Sequence, residues 1–149
     1  MNKYIGTKIV MAEPCEAQKE YGNHKVGAPG YKVSYEDGYE SWSPKEVFEE
    51  AYRPIQGMNF GLAIDAMKKG HKVSRSGWNG KGQWVVFRTG YPEGIPCNKN
   101  TADAVGIPEG SLFKVRPYFQ LKCVDGTFQM WVASVSDMLA EDWMILEEG

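Results

Sequence analysis

The order of one helical pattern and a series of short strand patterns constrains the fold of this chain most strongly. Residues 59–70 begin with Asn59, which is a favourable N-cap, carry apolar residues at helical spacing and end at Gly70. Short runs of apolar, β-branched and aromatic residues then predict strands at 71–75, 84–89, 117–124, 127–132 and 144–146. A helix followed by mostly adjacent strands is typical of an α+β fold with a small antiparallel sheet and a few short helices.

Three further segments lie among these strands. Asp125-Gly126 is a turn pair and predicts a hairpin between the strands on either side of it. Residues 136–143 predict one or two helical turns. Residues 90–116 are rich in Gly, Pro, Asn and Lys, and we expect them to form a long irregular loop.

A joint near residues 53–58 divides the chain of 149 residues into two predicted units. The stretch Arg-Pro-Ile-Gln-Gly-Met combines a proline with a glycine between two helical patterns, as a short connection does. The division predicts a small α+β module at 1–54 and a second domain at 58–149. The residues of the first module indicate no role for it.

The first module is predicted to contain two strands and one helix. Residues 4–12 and 30–35 carry the β-branched and aromatic residues typical of strands. Ser43 is predicted to cap the helix, with Pro44 at its first position and Glu46 completing a capping box.

Composition and motif spacing exclude several classes of protein. No apolar run approaches the ~20 residues that span a bilayer, and no basic-then-apolar signal opens the chain, so we expect a soluble cytoplasmic protein. The three cysteines have no CxxC spacing, and the two histidines lie in no metal-ligand pattern. We therefore expect no disulfide framework, no metal site and no cofactor.

The charges are distributed unevenly around a net charge of −2. Residues 66–92 hold six Lys and Arg and no acid, whereas residues 135–149 hold five acids and no base. A local basic stretch in a mildly acidic protein suits a small anionic ligand better than a long nucleic acid, which usually binds a strongly basic domain. A solvated lysine surface is an equally good explanation of the charges alone.

Nothing in the sequence indicates catalysis. Nucleophilic catalysis needs a nucleophile beside a base, and no such pair is placed by a motif. Asp137 and Asp142 are five residues apart, so they share no helical face cleanly and favour a role in helix-end electrostatics. We therefore predict that the protein is not an enzyme.

The stretch 75–82, Arg-Ser-Gly-Trp-Asn-Gly-Lys-Gly, matches neither a Walker loop nor a dinucleotide fingerprint. Asn79-Gly80 predicts a hairpin turn, because both residue types tolerate positive φ. A turn does not explain Trp78, which is either a core residue or a plate on which a base stacks. In the second case Asn79 pairs with a base edge or ribose, while Gly80 and Arg75 face phosphate.

Two motifs together resemble the phage proteins of the Thoeris anti-defense 2 family. They are Gly-Trp-Asn-Gly-Lys-Gly at 77–82 and Trp-x-x-Ser-x-x-Asp-Met-Leu-Ala-x-Asp-Trp at 131–143, and the resemblance covers about 58–147. The resemblance implies a sponge in the host cytoplasm that sequesters a cyclic ADP-ribose isomer and thereby blocks Thoeris immunity. It also implies homotetramers with ligand pockets between subunits, and some members hold cyclic dinucleotides as well. The module at 1–54 is absent from the minimal family.

Carried over to this chain, the resemblance implies specific ligand contacts. Trp78 and Asn79 would be the main contacts, and Trp131 and Ser134 would line the pocket. Asp137 would either contact ribose or cap the short helix, and both alternatives stay open. The role of Arg75 at phosphate rests on charge and not on the family.

Two other residues and two other functions complete the predictions. Trp143 and Leu139 are expected to pack in the core. One alternative function is an enzyme that hydrolyses a cyclic nucleotide. The other is a module that binds single-stranded nucleic acid or a virion protein through the same aromatic residues and lysines.

Overall fold

Residues 1–147 are described by the computed structural model, and they form ten strands and four helices. The predicted α+β fold with small antiparallel sheets is confirmed, because every strand pair among these residues is antiparallel. Glu148 and Gly149, which belong to the predicted second domain and its acidic stretch, lie outside the described residues. The chain divides into two compact units, Met1–Pro54 and Ile55–Gly149.

All the elements are short. The strands are β1 (Met11–Pro14), β2 (Gly30–Ser34), β3 (Glu40–Pro44), β4 (Val73–Arg75), β5 (Trp84–Arg88), β6 (Tyr91–Pro96), β7 (Leu112–Val115), β8 (Tyr118–Lys122), β9 (Phe128–Trp131) and β10 (Trp143–Ile145). The helices are α1 (Lys45–Ala51), α2 (Phe60–Lys68), α3 (Lys99–Val105) and α4 (Val135–Leu139). No helix in residues 1–147 has both the length and the apolar character needed to cross a membrane.

The first unit is a three-stranded sheet in the order β1-β2-β3, with α1 packed against β2 and β3. Its buried apolar side chains are few, Ala17 and Val33 being the most enclosed. Stacked rings near the surface supply much of its packing: Tyr31 lies 4.2 Å from Phe48, ring centre to ring centre. Tyr21 stacks in the same way on Trp42, at 4.8 Å.

Two predictions for the first unit are wrong. The strand predicted at 4–12 begins only at Met11, because β2 ends at Ser34 opposite Met11 and leaves the preceding residues without a neighbouring strand. The predicted capping box at Ser43 does not form. Ser43 is paired with Tyr31 in the sheet, so β3 runs on to Pro44 and the helix starts one residue later.

The second unit is built on a five-stranded sheet in the order β10-β4-β5-β8-β9, and α2 packs on one face of it. The predicted helix is confirmed, since Asn59 accepts a hydrogen bond from the Leu62 amide at 2.9 Å and so caps α2. Ala63 and Met67 of α2 are buried against the sheet. The buried core consists of Met58, Ala63, Ala66, Met67, Val73, Val85, Leu121, Trp143 and Ile145.

The predicted irregular loop at 90–116 is wrong. This segment forms the antiparallel pair β6 and β7 with α3 between them. Asn98 caps α3 by accepting a hydrogen bond from the Thr101 amide, and Gly106 ends it in the left-handed conformation at φ 76°. A capping asparagine and a glycine eight residues apart bracket a short helix, so the signal was present in the sequence.

Candidate functional site

The loop between β4 and β5 carries the first of the two motifs. The loop does connect neighbouring antiparallel strands. The predicted turn at Asn79-Gly80 is nevertheless wrong in its geometry, because neither residue has positive φ and that conformation belongs to Gly82, at φ 76°. The loop is longer than a two-residue hairpin turn, and contacts with residues elsewhere in the chain determine its conformation.

Asp142 fixes the start of this loop. One carboxylate oxygen, Oδ2, accepts a hydrogen bond from the Gly77 amide at 2.7 Å, and the other, Oδ1, accepts one from Arg75 Nε at 2.8 Å. A Cβ atom on Gly77 would lie 2.6 Å from Oδ2, so a larger residue here would displace the carboxylate. Sequence reasoning considered Asp142 only for helix-end electrostatics and did not place it in the site.

Asp137 is the central residue of the site. It forms a capping box with Ser134: the Asp137 amide donates to Ser134 Oγ, and the Ser134 amide donates to Asp137 Oδ2. Its other oxygen, Oδ1, accepts from Arg75 Nη1 and from Trp78 Nε1, each at 2.9 Å. Of the two alternatives for Asp137, the cap on α4 is therefore present, and the contact with ribose stays a prediction.

Asp137, Asp142 and Arg75 keep their charges at neutral pH. Burial raises the pKa of Asp137, but hydrogen bonds from Trp78, Arg75 and Ser134 outweigh it and hold that pKa below its ordinary value of 3.8. The hydrogen bond from Arg75 lowers the pKa of Asp142 likewise, with burial acting in the opposite direction and the Gly77 amide adding to the decrease. Hydrogen bonds to Asp142 and Asp137 raise the pKa of Arg75. Two carboxylates thus surround one guanidinium.

Arg75 binds carboxylates in this structure. Its side chain is 18% exposed, and two of its three nitrogens are bound to Asp137 and Asp142. The net charge of the three groups is negative, so an approaching phosphate gains less from this guanidinium than from an unpaired one. Its contact with a ligand phosphate stays a prediction.

Trp78 is half-buried and belongs to a cluster of aromatic rings. Its ring centre lies 5.3 Å from that of Trp143 and 6.2 Å from that of Trp131, both in edge-on contact. Phe60 and Phe119 belong to the same cluster through their contacts with Trp131. Trp78 is therefore part core residue and part surface residue, and the two explanations of its presence are compatible.

The two core predictions for the second motif have opposite outcomes. Trp143 is fully buried and donates its Nε1 hydrogen to the Asp137 carbonyl at 2.8 Å, so its prediction is confirmed. Leu139 is 77% exposed, so its prediction is wrong. The helix α4 turns Asp137 inward, and its side chains Val135, Met138 and Leu139 are left largely exposed together with Val132.

The remaining predicted residues lie further along the loop. Asn79 is exposed, and within residues 1–147 its side chain makes no hydrogen bond. Gly80 is half-buried, and a Cβ there would lie 2.5 Å from Gln83 Oε1. The structure thus brings together Arg75, Trp78, Trp131, Ser134 and Asp137, with Asn79 and Gly80 beside them on the same loop.

The second unit also contains a cavity that is separate from this site. No cluster of three His, Cys, Asp or Glu suited to a metal ion occurs in residues 1–147. A cavity of about 290 Å³ lies between the β6–β7 pair and β8–β9, and aromatic side chains such as Tyr91, Phe113 and Tyr118 line it. None of the seven predicted site residues lines this cavity.

Comparison with known proteins assigns the second unit to a family. Residues 58–146 match the family described as the Thoeris anti-defense 2-like domain. A protein of Bacillus phage SP01 named Thoeris anti-defense 2 is 33% identical over 93 residues, which cover 60% of this chain and 94% of that protein. The family match includes both motifs and excludes the first unit. The resemblance seen in the sequence is confirmed, and the chain belongs to the Thoeris anti-defense 2-like family.

Proposed function

We propose that the second unit binds and sequesters a cyclic ADP-ribose isomer without cleaving it, and so blocks the Thoeris defence of the host cell. Membership of a family named for anti-defense supports the biological role. One observation carries the binding site: the indole of Trp78 is held in a fixed position beside the exposed Asn79. Cyclic dinucleotides are proposed as further ligands, on the resemblance alone.

The fixed indole limits how a nucleotide binds. Trp78 Nε1 is already bound to Asp137, so the contact available to a base is the exposed part of the ring. Stacking of a base on an aromatic side chain contributes about 1–3 kcal/mol. The unbound amide of Asn79 supplies both a donor and an acceptor for a base edge or a ribose hydroxyl. Preorganisation of the loop by Asp142 lowers the entropy lost on binding.

Because Arg75 is paired with two carboxylates, phosphate recognition needs other hydrogen-bond donors. Arg75 keeps two carboxylates as partners, so it turns toward a phosphate only if one of these bonds is exchanged. Lys81 is exposed on the same loop, two residues from Asn79. Its ammonium group and the amides of the loop glycines are the remaining donors for the anionic part of the ligand.

A tight binder needs more surface than one loop provides. Nanomolar affinity corresponds to about −12 kcal/mol, which stacking and a few hydrogen bonds on an open surface do not reach. The exposed apolar side chains of α4, next to Asp137, are a surface that a second copy can cover. Covering it would enclose the ligand between subunits, in agreement with the homotetramer that the resemblance implies.

The geometry supports binding over hydrolysis. A general acid needs a carboxyl that holds a proton near neutral pH, whereas the pKa values of Asp137 and Asp142 are both lowered. Both carboxylates are also occupied by Arg75 and by groups of the loop. The two acids therefore act as structural partners of the loop.

Calorimetry against a panel of cyclic nucleotides tests the proposal. Asn79→Ala removes an exposed side chain, so we expect about a tenfold loss of affinity, the effect of one or two hydrogen bonds, with an unchanged unfolding midpoint. Asn100→Ala, the same change on the exposed surface of α3, is the matched control and should bind normally. Trp78→Ala is less informative, because it also removes core contacts.

Two results would contradict the proposal. Denaturing the complex should release the intact ligand, and more degraded product than protein would show a hydrolase. Binding to oligonucleotides with a steep dependence on salt, and none to cyclic nucleotides, would instead show a module for single-stranded nucleic acid.

A further inference from the structure

The cavity of about 290 Å³ between the β6–β7 pair and β8–β9 depends on the turn that leads into β6. The chain passes from β5 to β6 through Gly90, which has φ 70°. A Cβ at this position would overlap the carbonyl oxygen of Val115, the last residue of β7. Glycine therefore permits both the turn and the close approach of the two backbones.

The walls of this cavity are mostly apolar. The apolar and aromatic residues that line it include Tyr91, Ile95, Phe113, Val115, Tyr118 and Met130. Asn98 and Thr101 are polar, and none of the described residues that line the cavity is charged. Apolar walls with a few polar groups are typical of a site for a small organic molecule.

The guanidinium of Arg88 lies at the edge of the cavity and is held there on three sides. Nη1 donates to Gln120 Oε1 at 2.7 Å, and Nη2 donates to the Tyr91 hydroxyl at 3.2 Å. The guanidinium also lies over the ring of Tyr118, 5.7 Å from its centre, because Arg88 and Tyr118 are opposite each other in the β5–β8 pair. Tyr91 and Tyr118 both line the cavity, so they place this cation beside its apolar walls.

The partners of Arg88 leave its charge uncompensated. Arg75 is paired with two carboxylates, whereas Arg88 forms no ion pair with any residue in 1–147. A guanidinium has five N–H groups, so those that do not donate to Gln120 and Tyr91 are available to a ligand. A half-buried cation with neutral partners favours an anion, and its planar fork matches a carboxylate.

We propose that this cavity binds a small aromatic carboxylic acid, with its ring between the apolar walls and its carboxylate on Arg88. At the packing density of protein interiors the cavity accommodates about 200 Å³ of van der Waals volume. This volume suits one or two fused rings with a short acidic side chain. A cyclic ADP-ribose isomer or a cyclic dinucleotide is too large to be enclosed there.

This site goes beyond the proposed function, because none of the residues that line the cavity belongs to the group around Trp78 and Asp137. The affinity for cyclic nucleotides should be unchanged when the cavity is altered. Failure of one proposal is therefore distinguishable from failure of the other.

Titration of the full chain with 2-naphthylacetate and with its neutral amide, 2-naphthylacetamide, tests the site. NMR signals of the Ile95, Val115 and Met130 methyl groups should shift with the acid, while those of Val33 in the first unit stay constant. The amide should bind about tenfold more weakly, because it lacks the charge that Arg88 recognises. Equal affinities for acid and amide, or no shift at the three cavity positions, would overturn the proposal. Displacement of the acid by a cyclic nucleotide would also overturn it, since the cavity would then belong to the nucleotide site.

Arg88→Gln tests the role of the guanidinium. It should lower the affinity for the acid about tenfold and leave the affinity for the amide unchanged, and the amide thus reports that the cavity is intact. Arg116→Gln, which removes an exposed arginine that does not line the cavity, is the matched control and should bind both probes normally. The same loss in both arginine variants, or in neither, would assign the binding to something other than Arg88.

A charge introduced into the wall supplies an independent measurement that leaves Arg88 in place. Met130 lines the cavity but is 66% exposed, so Met130→Glu does not threaten folding. The new carboxylate either repels the acid or pairs with Arg88, and in both cases the acid should bind about tenfold more weakly than to Met130→Gln. The amide should bind these two variants equally. An acid that binds Met130→Glu as well as Met130→Gln would reject the proposed contact between carboxylate and guanidinium.

Discussion

The two units of this chain use aromatic residues in opposite ways. In the first, rings stack near the surface, as Tyr31 does on Phe48, and Val33 is the largest fully buried side chain. In the second, Trp78 and Trp131 contact the fully buried Trp143 edge-on. Exposed stacks lose little when a ring is removed, whereas a ring in a closed core leaves a cavity. The second unit should therefore be the more sensitive to substitution.

In the second unit, Asp137 connects the proposed site to the core. Asp137 binds Trp78 with its side chain and accepts a hydrogen bond from Trp143 with its backbone carbonyl. A loop proposed to bind ligand is thus positioned by a residue that also contacts the core. In the first unit, by contrast, the hydrogen bond from Trp42 Nε1 to the Cys15 carbonyl links β3 to the residue that follows β1.

Trp143→Ala should have the largest effect. Replacing a fully buried aromatic side chain by alanine costs about 3–5 kcal/mol of unfolding free energy. We expect hydrogen exchange to quicken throughout 55–147 and to change far less in 1–54, as peptide-resolved mass spectrometry would show. Equal acceleration in both units would mean that they unfold together, and the comparison between them would fail.

Asp137→Asn should cause the next largest loss of unfolding free energy. It removes one of the two carboxylates from the half-buried Arg75 and weakens the cap on α4, at a cost of about 2–3 kcal/mol. Asp103→Asn is the matched control, because its ion pair with Lys99 has the same kind of partners but is mostly exposed. That pair should contribute about 0.5 kcal/mol or less. Similar urea midpoints for the two variants would contradict a structural role for Asp137.

Much of the second unit could be predicted because its signals are local. Asn59 and Gly70 bracket α2 in the sequence, and five strand patterns after residue 70 correspond to β4, β5, β8, β9 and β10. The arrangement of the site could not be predicted in the same way. Arg75 and Asp142 are far apart in the chain, and only the pairing of β4 with β10 brings them together.

The failed predictions have physical causes of two kinds. Residues 4–10 and Ser43 show that local propensity yields to the available pairing partners. A strand needs a neighbour, and the pairing of Ser43 with Tyr31 carries β3 on to Pro44, so Ser43 lies one residue before the N-cap. Leu139 shows the other cause. Its place in a largely apolar motif favoured burial, but the capping box fixes which side of α4 faces inward, and Asp137 takes that side.

Gly30→Ala tests the first unit at its tightest contact. A Cβ at this position would overlap the Ser43 carbonyl oxygen and the Trp42 ring. Overpacking of this kind costs about 1–3 kcal/mol, and the backbone contact favours the upper half of that range. Gly6→Ala, which meets open space, is the control and should leave the unfolding midpoint unchanged. An unaffected Gly30→Ala variant would show that the first unit adapts more easily than its stacked rings suggest.

Acid should weaken the second unit through Asp137 and Asp142. Both have pKa values in the folded chain below the ordinary 3.8, so the unfolded chain binds more protons and stability rises with pH. The contribution is complete above about pH 5 and is lost as the pH falls through the folded pKa values. Urea midpoints between pH 7 and 3 should decline less steeply in Asp137→Asn than in the unaltered chain. Parallel curves would assign the acid sensitivity to other groups, such as Asp125, whose pKa is lowered by hydrogen bonds from Thr127.

Tyr31→Phe should have the smallest effect and sharpens the comparison most directly. The Tyr31 hydroxyl donates to Glu49 at 2.8 Å, a length close to the 2.9 Å between Trp78 Nε1 and Asp137. The Tyr31 pair is exposed, so water replaces the lost bond, and phenylalanine keeps the stack on Phe48. We expect an unchanged unfolding midpoint, whereas Trp78→Phe should lower that of the second unit measurably.

Titration of the phenol verifies that the Tyr31 bond exists in solution. The hydrogen bond to Glu49, with burial and the charge of Glu49 adding to it, raises the pKa of Tyr31 above 10.0. Absorbance at alkaline pH should therefore lose one late-titrating phenol in Tyr31→Phe and none in Trp78→Phe. Suppose that the bond is present and that Tyr31→Phe destabilises the first unit as much as Trp78→Phe destabilises the second. The burial of a hydrogen bond would then not decide how much its loss costs in this chain. Cooperativity among the surface rings would then have to explain the stability of the first unit.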